Sequence, residues 1–428
     1  MTIVEDREAL DRVCSQLQQL ESTWFVCWKD FEKHTTNNDI SFIVIKIEEE
    51  VYVIGIDHVD LMCFNKEDIH DLITAPQPKK VFHKKRVIHS LNLNGHIQDI
   101  ETHHYLKRGK PLLLDEKFEG YKSYMFSRNI YDDLASSLPI MKLVDTITEI
   151  IKEYEDISED LEGYDWFNDK FIPTLAKIES RGLSADTKTF KEILNGKAKH
   201  IHNGKVYTEY NPFTSTGRPS NRHGGVNYAA LNKKDGSRGV FQSKENMYVQ
   251  LDFDAYHPRI IGNMIEYDLP MKSVHEWLAE RYDVSYEESK GITFRQIYGG
   301  IENQYKDIEF LGEIDKFIQS HWEVVLEDGY VSTYYRRIYL DWIDNVNPLK
   351  AFNYLLQAIE TERNIDRLYE ILKLIDGTDV HVILYIYDAI LFETPKDVDK
   401  ELMKQIKRIL TKGGFPVSYS YGTTFQDL

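Results

Sequence analysis

The segment VHVILYIYDAILFE, residues 380 to 393, is apolar almost throughout and carries one carboxylate, Asp388, in its middle. A charge inside a stretch bound for a core costs several kcal/mol unless something pairs with it. The run is too long for a single strand of typically ~5–6 residues, so it reads as two. Asp bonds readily to nearby backbone in turns, which puts Tyr387-Asp388-Ala389 at the tip of a tight hairpin. The carboxylate then projects from a rigid sheet edge. Taken alone, Asp388 reads more readily as a structural turn residue.

A second acid changes the balance. In MYVQLDFDAYHPRII the pattern from Met247 to Phe253 is strand-like, Asp252 lies near its end, and a helix is expected to begin around Pro258. Two strand-end acids on adjacent strands would bind paired divalent ions of the kind used in phosphoryl transfer. In ESKGITFRQIYGG, Lys290, Phe294 and Tyr298 recur every fourth residue, which places a cation and two rings on one helix face ended by Gly299 and Gly300. Such a face neutralises a triphosphate and stacks on a base, although a lysine among rings is more commonly a packed, snorkelling side chain. A long helix is expected from about 350 to 374, with Ala351, Phe352, Leu355, Leu356 and Ile359 inward. Asn353 and Gln357 then share another face.

The whole chain sets limits. Its 428 residues, 42% hydrophobic and 12% aromatic, suit a globular protein of two or three domains. Acids outnumber Lys and Arg by 70 to 52, a net charge of −18, so a polyanion must meet local basic patches. Cys14, Cys27 and Cys63 have neither number nor spacing for a disulfide framework or zinc site. No run approaches ~20 apolar residues. A soluble, unsecreted, cytoplasmic protein is expected, with no membrane partner.

In this order the segments resemble the family A DNA polymerases, the group that includes bacterial DNA polymerase I and many phage replicative enzymes. The motifs are TSTGRPS (214–220), DFDAYHPR with Asp252 and Arg259, KGITFRQIYG, FNYLLQ with Asn353 and Gln357, and YIYDAILFE. The likeness covers roughly residues 165 to 428, since FIPTLAKIESRGL also matches the approach to that family's polymerase domain. The resemblance implies an α+β right-hand fold, with an antiparallel-sheet palm, helical fingers at about 265–345 and a compact phage-type plan. It places palm and fingers in 206–428 and a helical connector with a reduced thumb in 146–205. Residues 1–145 would be a degenerate 3'-5' exonuclease-like α/β domain.

The activity implied is template-directed addition of deoxynucleotides to a primer 3'-hydroxyl. Asp252, Asp388 and the backbone carbonyl of Phe253 would hold two Mg²⁺ ions, replaceable by Mn²⁺. Lys290 would bind the triphosphate and protonate the leaving group. Phe294, Tyr298, His257 and Arg259 would surround the nucleotide. Arg218, Asn353, Gln357 and Tyr387 would hold primer-template DNA. A processivity factor is an implied partner, and the host cytoplasm the setting for a phage-encoded member. A single-subunit RNA polymerase and a non-catalytic nucleic-acid scaffold are the alternatives.

Several departures stand out. His257 occupies the place of a Glu that closes the sugar pocket, and Tyr286 that of a phosphate-binding Arg, for which Arg281 is a possible substitute. Tyr387-Asp388-Ala389 stands for His-Asp-Glu. Only some fifteen residues replace the thumb. In the first domain FVCWKDFE puts Trp28 and Asp30 where a nuclease needs acids, and the basic Lys84 to Arg86 is a potential DNA contact.

Overall fold

The computed structural model describes residues 1–30, 33–118, 138–221 and 225–428, so the last two residues of FVCWKDFE lie outside the described residues. Strands β1 (Thr2–Ile3), β2 (Ser22–Trp28), β3 (Ile40–Ile47), β4 (Glu50–Gly55), β5 (Lys79–Val81) and β6 (Ile97–Asp99) form a first sheet. Their order is β1-β4-β3-β2-β5-β6, with β3 running against the other five. The largely apolar runs of β2 and β3 follow from burial on both faces. The helix Arg7–Leu17 covers one face through Leu10, Val13 and Leu17. The helix Ile140–Tyr154 covers the other through Leu143, Val144, Ile147 and Ile151. That contact carries the N-terminal core on to Ile157, past the boundary expected near 145. An amphipathic helix shows which stripe it buries but not which sheet will claim it.

The basic stretch departs furthest from expectation. Lys84, Lys85 and Arg86 open the helix Lys84–Ser90, and all three are buried at the seam with the rest of the chain. Lys84 Nζ donates to Asn168 O and Oδ1, both at 2.8 Å, and Lys85 Nζ pairs with Glu179 at 2.5 Å. Arg86 makes a two-pronged bond to Glu209, at 3.0 and 2.8 Å. These cations are not a DNA-contacting surface. Their charge is spent on internal carboxylates and carbonyls, the condition for burying it.

Where a thumb is expected, the described chain has only the helix Thr187–Ile193 and the 3₁₀ turn Asn195–His200. Beyond them, β7 (Met247–Phe253) lies inside an antiparallel sheet with β8 (His381–Ile386), β9 (Ala389–Thr394) and β10 (Val417–Gly422), ordered β8-β9-β7-β10. Tyr248, Leu251 and Phe253 of β7 are buried. The region expected as fingers is helical, with Val274–Tyr282, Tyr286–Gly299 and Glu309–Asp328 followed by a small hairpin.

The helix Pro348–Leu374 supports this half of the molecule. Asn347 caps it, its side chain accepting the Lys350 N–H at 2.9 Å, and Pro348 fits the first turn, where its missing N–H costs nothing. Its 27 residues run ~40 Å. It packs against Tyr256–Met264, Glu309–Asp328 and Lys400–Leu410. Among the described residues no helix is long and apolar enough to cross a membrane.

Candidate active site

The register of the second sheet brings the two acids together. Asp252 pairs across β7 with Ala389 on one side and Ser418 on the other. Ala389 is the first residue of β9, so Asp388 in the turn stands next to Asp252. The Phe253 N–H donates to Asp388 O at 3.1 Å, fixing the two strand ends to each other. Tyr387 takes φ +57° to close the two-residue turn, a conformation that costs a non-glycine residue about 1–3 kcal/mol. Asn364 Nδ2 holds the turn by donating to Tyr387 O at 2.8 Å.

Both acids border a cavity of about 500 Å³, open on one side, which Phe253, His257, Lys290, Phe294, Tyr298 and Arg218 also line. Burial, then the charge of Asp388, pushes Asp252 up to about 7. Burial, then the nearby Glu360, raises Asp388 as well. Among the described residues no cation lies within ion-pair distance of either carboxylate.

The helix Tyr286–Gly299 forms the facing wall. Ser285 and Glu288 make a capping box at its start, and Gly300 with φ +97° ends it. Ser289, Thr293 and Gln296 are buried on one side, which turns Lys290, Phe294 and Tyr298 toward the cavity. The rings of Phe294 and Tyr298 lie parallel, 6.0 Å apart, and Phe294 is half exposed. Lys290 Nζ rests 4.4 Å from the Tyr286 ring, so the residue standing for the expected Arg supports the lysine instead of adding charge. Arg281 does not replace that Arg, because its guanidinium lies on Trp277 at 3.8 Å, away from the cavity.

A third acid, not singled out from the sequence, completes the floor. Glu360 projects from the long helix, almost fully buried, with Arg218 NH2 at 2.9 Å and His257 Nε2 at 3.2 Å. His257 Nδ1 in turn bonds the Tyr298 hydroxyl. Arg218 also stacks on the Tyr387 ring at 3.8 Å. Gly217 precedes it with φ +72°, and a Cβ there would come 3.1 Å from the Arg336 guanidinium. The chain Tyr298–His257–Glu360–Arg218 thus ties helix, strand turn and TSTGRPS loop into one wall. The only local trace of Glu360 is a charge beside Ala358 and Ile359, on a turn that is buried in the fold.

Other expected residues sit elsewhere. Arg259 does not reach the cavity. It is buried, donating to Asp254 O and Oδ2, Pro270 O and Lys272 O. Asn353 lies behind the site, Nδ2 donating to Tyr298 O at 3.3 Å, while Gln357 Oε1 accepts from Thr216 at 3.4 Å. Both brace the helix and loop that carry the lining residues.

The fold that carries this antiparallel sheet and facing helix is similar to that of a solved DNA polymerase domain. The chain is similar to the POL domain of Pol1 from M. smegmatis, solved in complex with DNA primer-template and dNTP. The two share 15% identity over 99% of each chain with a TM-score of 0.73, a likeness of fold. No protein-family model and no curated protein matches the sequence.

Proposed function

We propose that this chain is a family A-type DNA polymerase that extends a primer 3'-hydroxyl with deoxynucleotides. The observation that carries this reading is the pair of carboxylates, Asp252 and Asp388, which line one cavity with Lys290 and have no ion-pair partner among the described residues. The donor set suits hard divalent cations, since both side chains offer oxygen, each charge raises the cost of the other, and Phe253 lines the same cavity. Bound there, Mg²⁺ or Mn²⁺ would acidify the primer hydroxyl and neutralise the leaving pyrophosphate. Asp252 and Asp388 orient that chemistry by their fixed strand register. Lys290 remains charged and is placed to hold the triphosphate and give a proton to the departing phosphate. Phe294 and Tyr298 offer flat surfaces for the incoming base. The partners of this reading are primer-template DNA, dNTPs and a processivity factor.

The raised Asp252 gives a pH dependence. In the unfolded chain its carboxyl releases its proton near pH ~3.9, whereas in the folded chain it does so at about 7. Over that window the folded state binds more protons, so this group's contribution to stability falls as pH rises. Divalent binding needs the ionised form and gains over the same window. The Mg²⁺ concentration for half-maximal primer extension is expected to rise roughly tenfold for each pH unit below about 7. A requirement that stays flat from about pH 8 down to 6 contradicts the assignment.

Sugar choice is the next test. His257, held between Tyr298 and Glu360, closes the side of the cavity where the family resemblance calls for a Glu. Single-nucleotide insertion should favour dNTP over rNTP, and His257→Gly should relax that preference by on the order of tenfold. Preference for rNTP by the unaltered chain would move the reading to an RNA polymerase. With one seven-residue helix in place of a thumb, the enzyme alone should release its template after short extensions in the presence of trap DNA. Long products under those conditions count against a reduced thumb.

We also read the first sheet as an exonuclease-like fold without activity. What supports this reading is Trp28, fully buried, at a place where the resemblance calls for an acid. Removal of a 3'-mismatch by the purified chain in Mg²⁺ would contradict this.

A further inference from the structure

At the seam between the two sheets, His34, His89 and Glu179 each offer one ligand atom, and these atoms lie within 4.8 Å of one another. His89 Nε2 lies 3.3 Å from Glu179 Oε2. Two donors about 2.0–2.1 Å from a tetrahedral zinc ion lie roughly 3.3–3.4 Å apart. His34 is 8% exposed, and its Nε2 is buried with no hydrogen-bond partner among the described residues. A buried polar atom left unsatisfied in this way calls for an explanation.

The surroundings are those of a held ligand set. The His34 ring stacks on Tyr207, with centroids 5.3 Å apart and planes 24° apart. Its Nδ1 lies 2.9 Å from Thr36 Oγ1. Metal at Nε2 assigns the ring proton to Nδ1, which then donates to that hydroxyl and gives up the weaker approach of the Thr36 amide at 3.2 Å. Glu179 Oε1 is occupied by the Tyr210 N–H and by Lys85, both at 2.5 Å, which leaves Oε2 facing His89. Lys85 and Arg86 are balanced by Glu179 and Glu209, so the cluster has no excess positive charge to repel a cation.

We propose that His34, His89 and Glu179 bind one zinc ion that ties the N-terminal sheet to the helix Ile172–Glu179. Two imidazoles and a carboxylate match zinc, with water in the fourth position, and are too nitrogen-rich for Mg²⁺. The site is separate from Asp252 and Asp388 and independent of polymerase activity.

The test uses the full chain carrying Asp252→Ala and Asp388→Ala, which removes the other acidic site. After dialysis against zinc, elemental analysis should find about one equivalent per chain. The unfolding midpoint should lie several degrees above that in chelator. Adding His34→Ala or His89→Ala should abolish both effects. Absence of bound zinc in the parent, or one equivalent unchanged by either histidine substitution, overturns the proposal. Should the histidine variants fail to fold, the cobalt-loaded parent decides. Intense visible bands of tetrahedral Co²⁺ support the site, and only weak octahedral bands overturn it.

Discussion

Replacing Asp388 by Ala is expected to slow primer extension by at least about 10³-fold while leaving primer-template affinity nearly unchanged. The carboxylate sits at the hairpin tip, its backbone carbonyl bonded to Phe253 N–H, with burial and Glu360 opposing its charge. Removing it relieves Asp252 of a like charge. The unfolding midpoint should therefore hold steady or rise, as it does when a functional group is kept at a cost to stability. A structural turn aspartate would behave in the opposite way, losing stability and keeping activity. Single-turnover extension and thermal unfolding of the same variant separate the two: full extension by Asp388→Ala would remove that residue from the chemistry, and only an unaltered chain that extends no primer would leave a nucleic-acid scaffold.

Arg86→Ala should be the most destabilising single change at the seam, by about 3–5 kcal/mol, because it strands a buried Glu209 without its two-pronged partner. Lys85, 3.9 Å from Glu209, offsets part of the loss. The measurement is denaturant unfolding followed at the N-terminal tryptophans. The double change Arg86→Met/Glu209→Leu should recover most of the stability, since it removes both charges together. A DNA-contacting basic patch predicts something different, namely near-normal stability and a salt dependence of DNA binding shallower by about one unit per lost phosphate contact. A stable Arg86→Ala chain with weakened, less salt-sensitive DNA binding would return the KKR stretch to the nucleic-acid surface.

Much of the second half was legible because its signals are local. The alternation of Met247–Phe253, the turn chemistry at 387–388 and the glycine stop after Tyr298 each act over a few residues. Those short-range rules fix where a strand or helix begins and which residues share a face. They also placed Lys290, Phe294 and Tyr298 on one wall before any packing was known. Arg259 shows the limit of motif spacing. It stands seven residues after Asp252 as the resemblance requires, yet the carbonyls of Pro270 and Lys272 satisfy its guanidinium inside the fold.

The sequence by itself determined the secondary elements around the site, the order of the motifs and the two strand-end acids, because backbone preference and side-chain period are properties of neighbouring residues. Only the tertiary structure decided where charges are spent. Lys84 to Arg86 are a basic run in the chain and a buried set of ion pairs in the fold. Glu360 is one of several charges along its helix until His257 and Arg218 meet it. The helix Ile140–Tyr154 belongs to the first core because Ile147 and Ile151 find that sheet. A charge or an apolar stripe states a need, and the partner that meets it lies far along the chain, brought near only by folding.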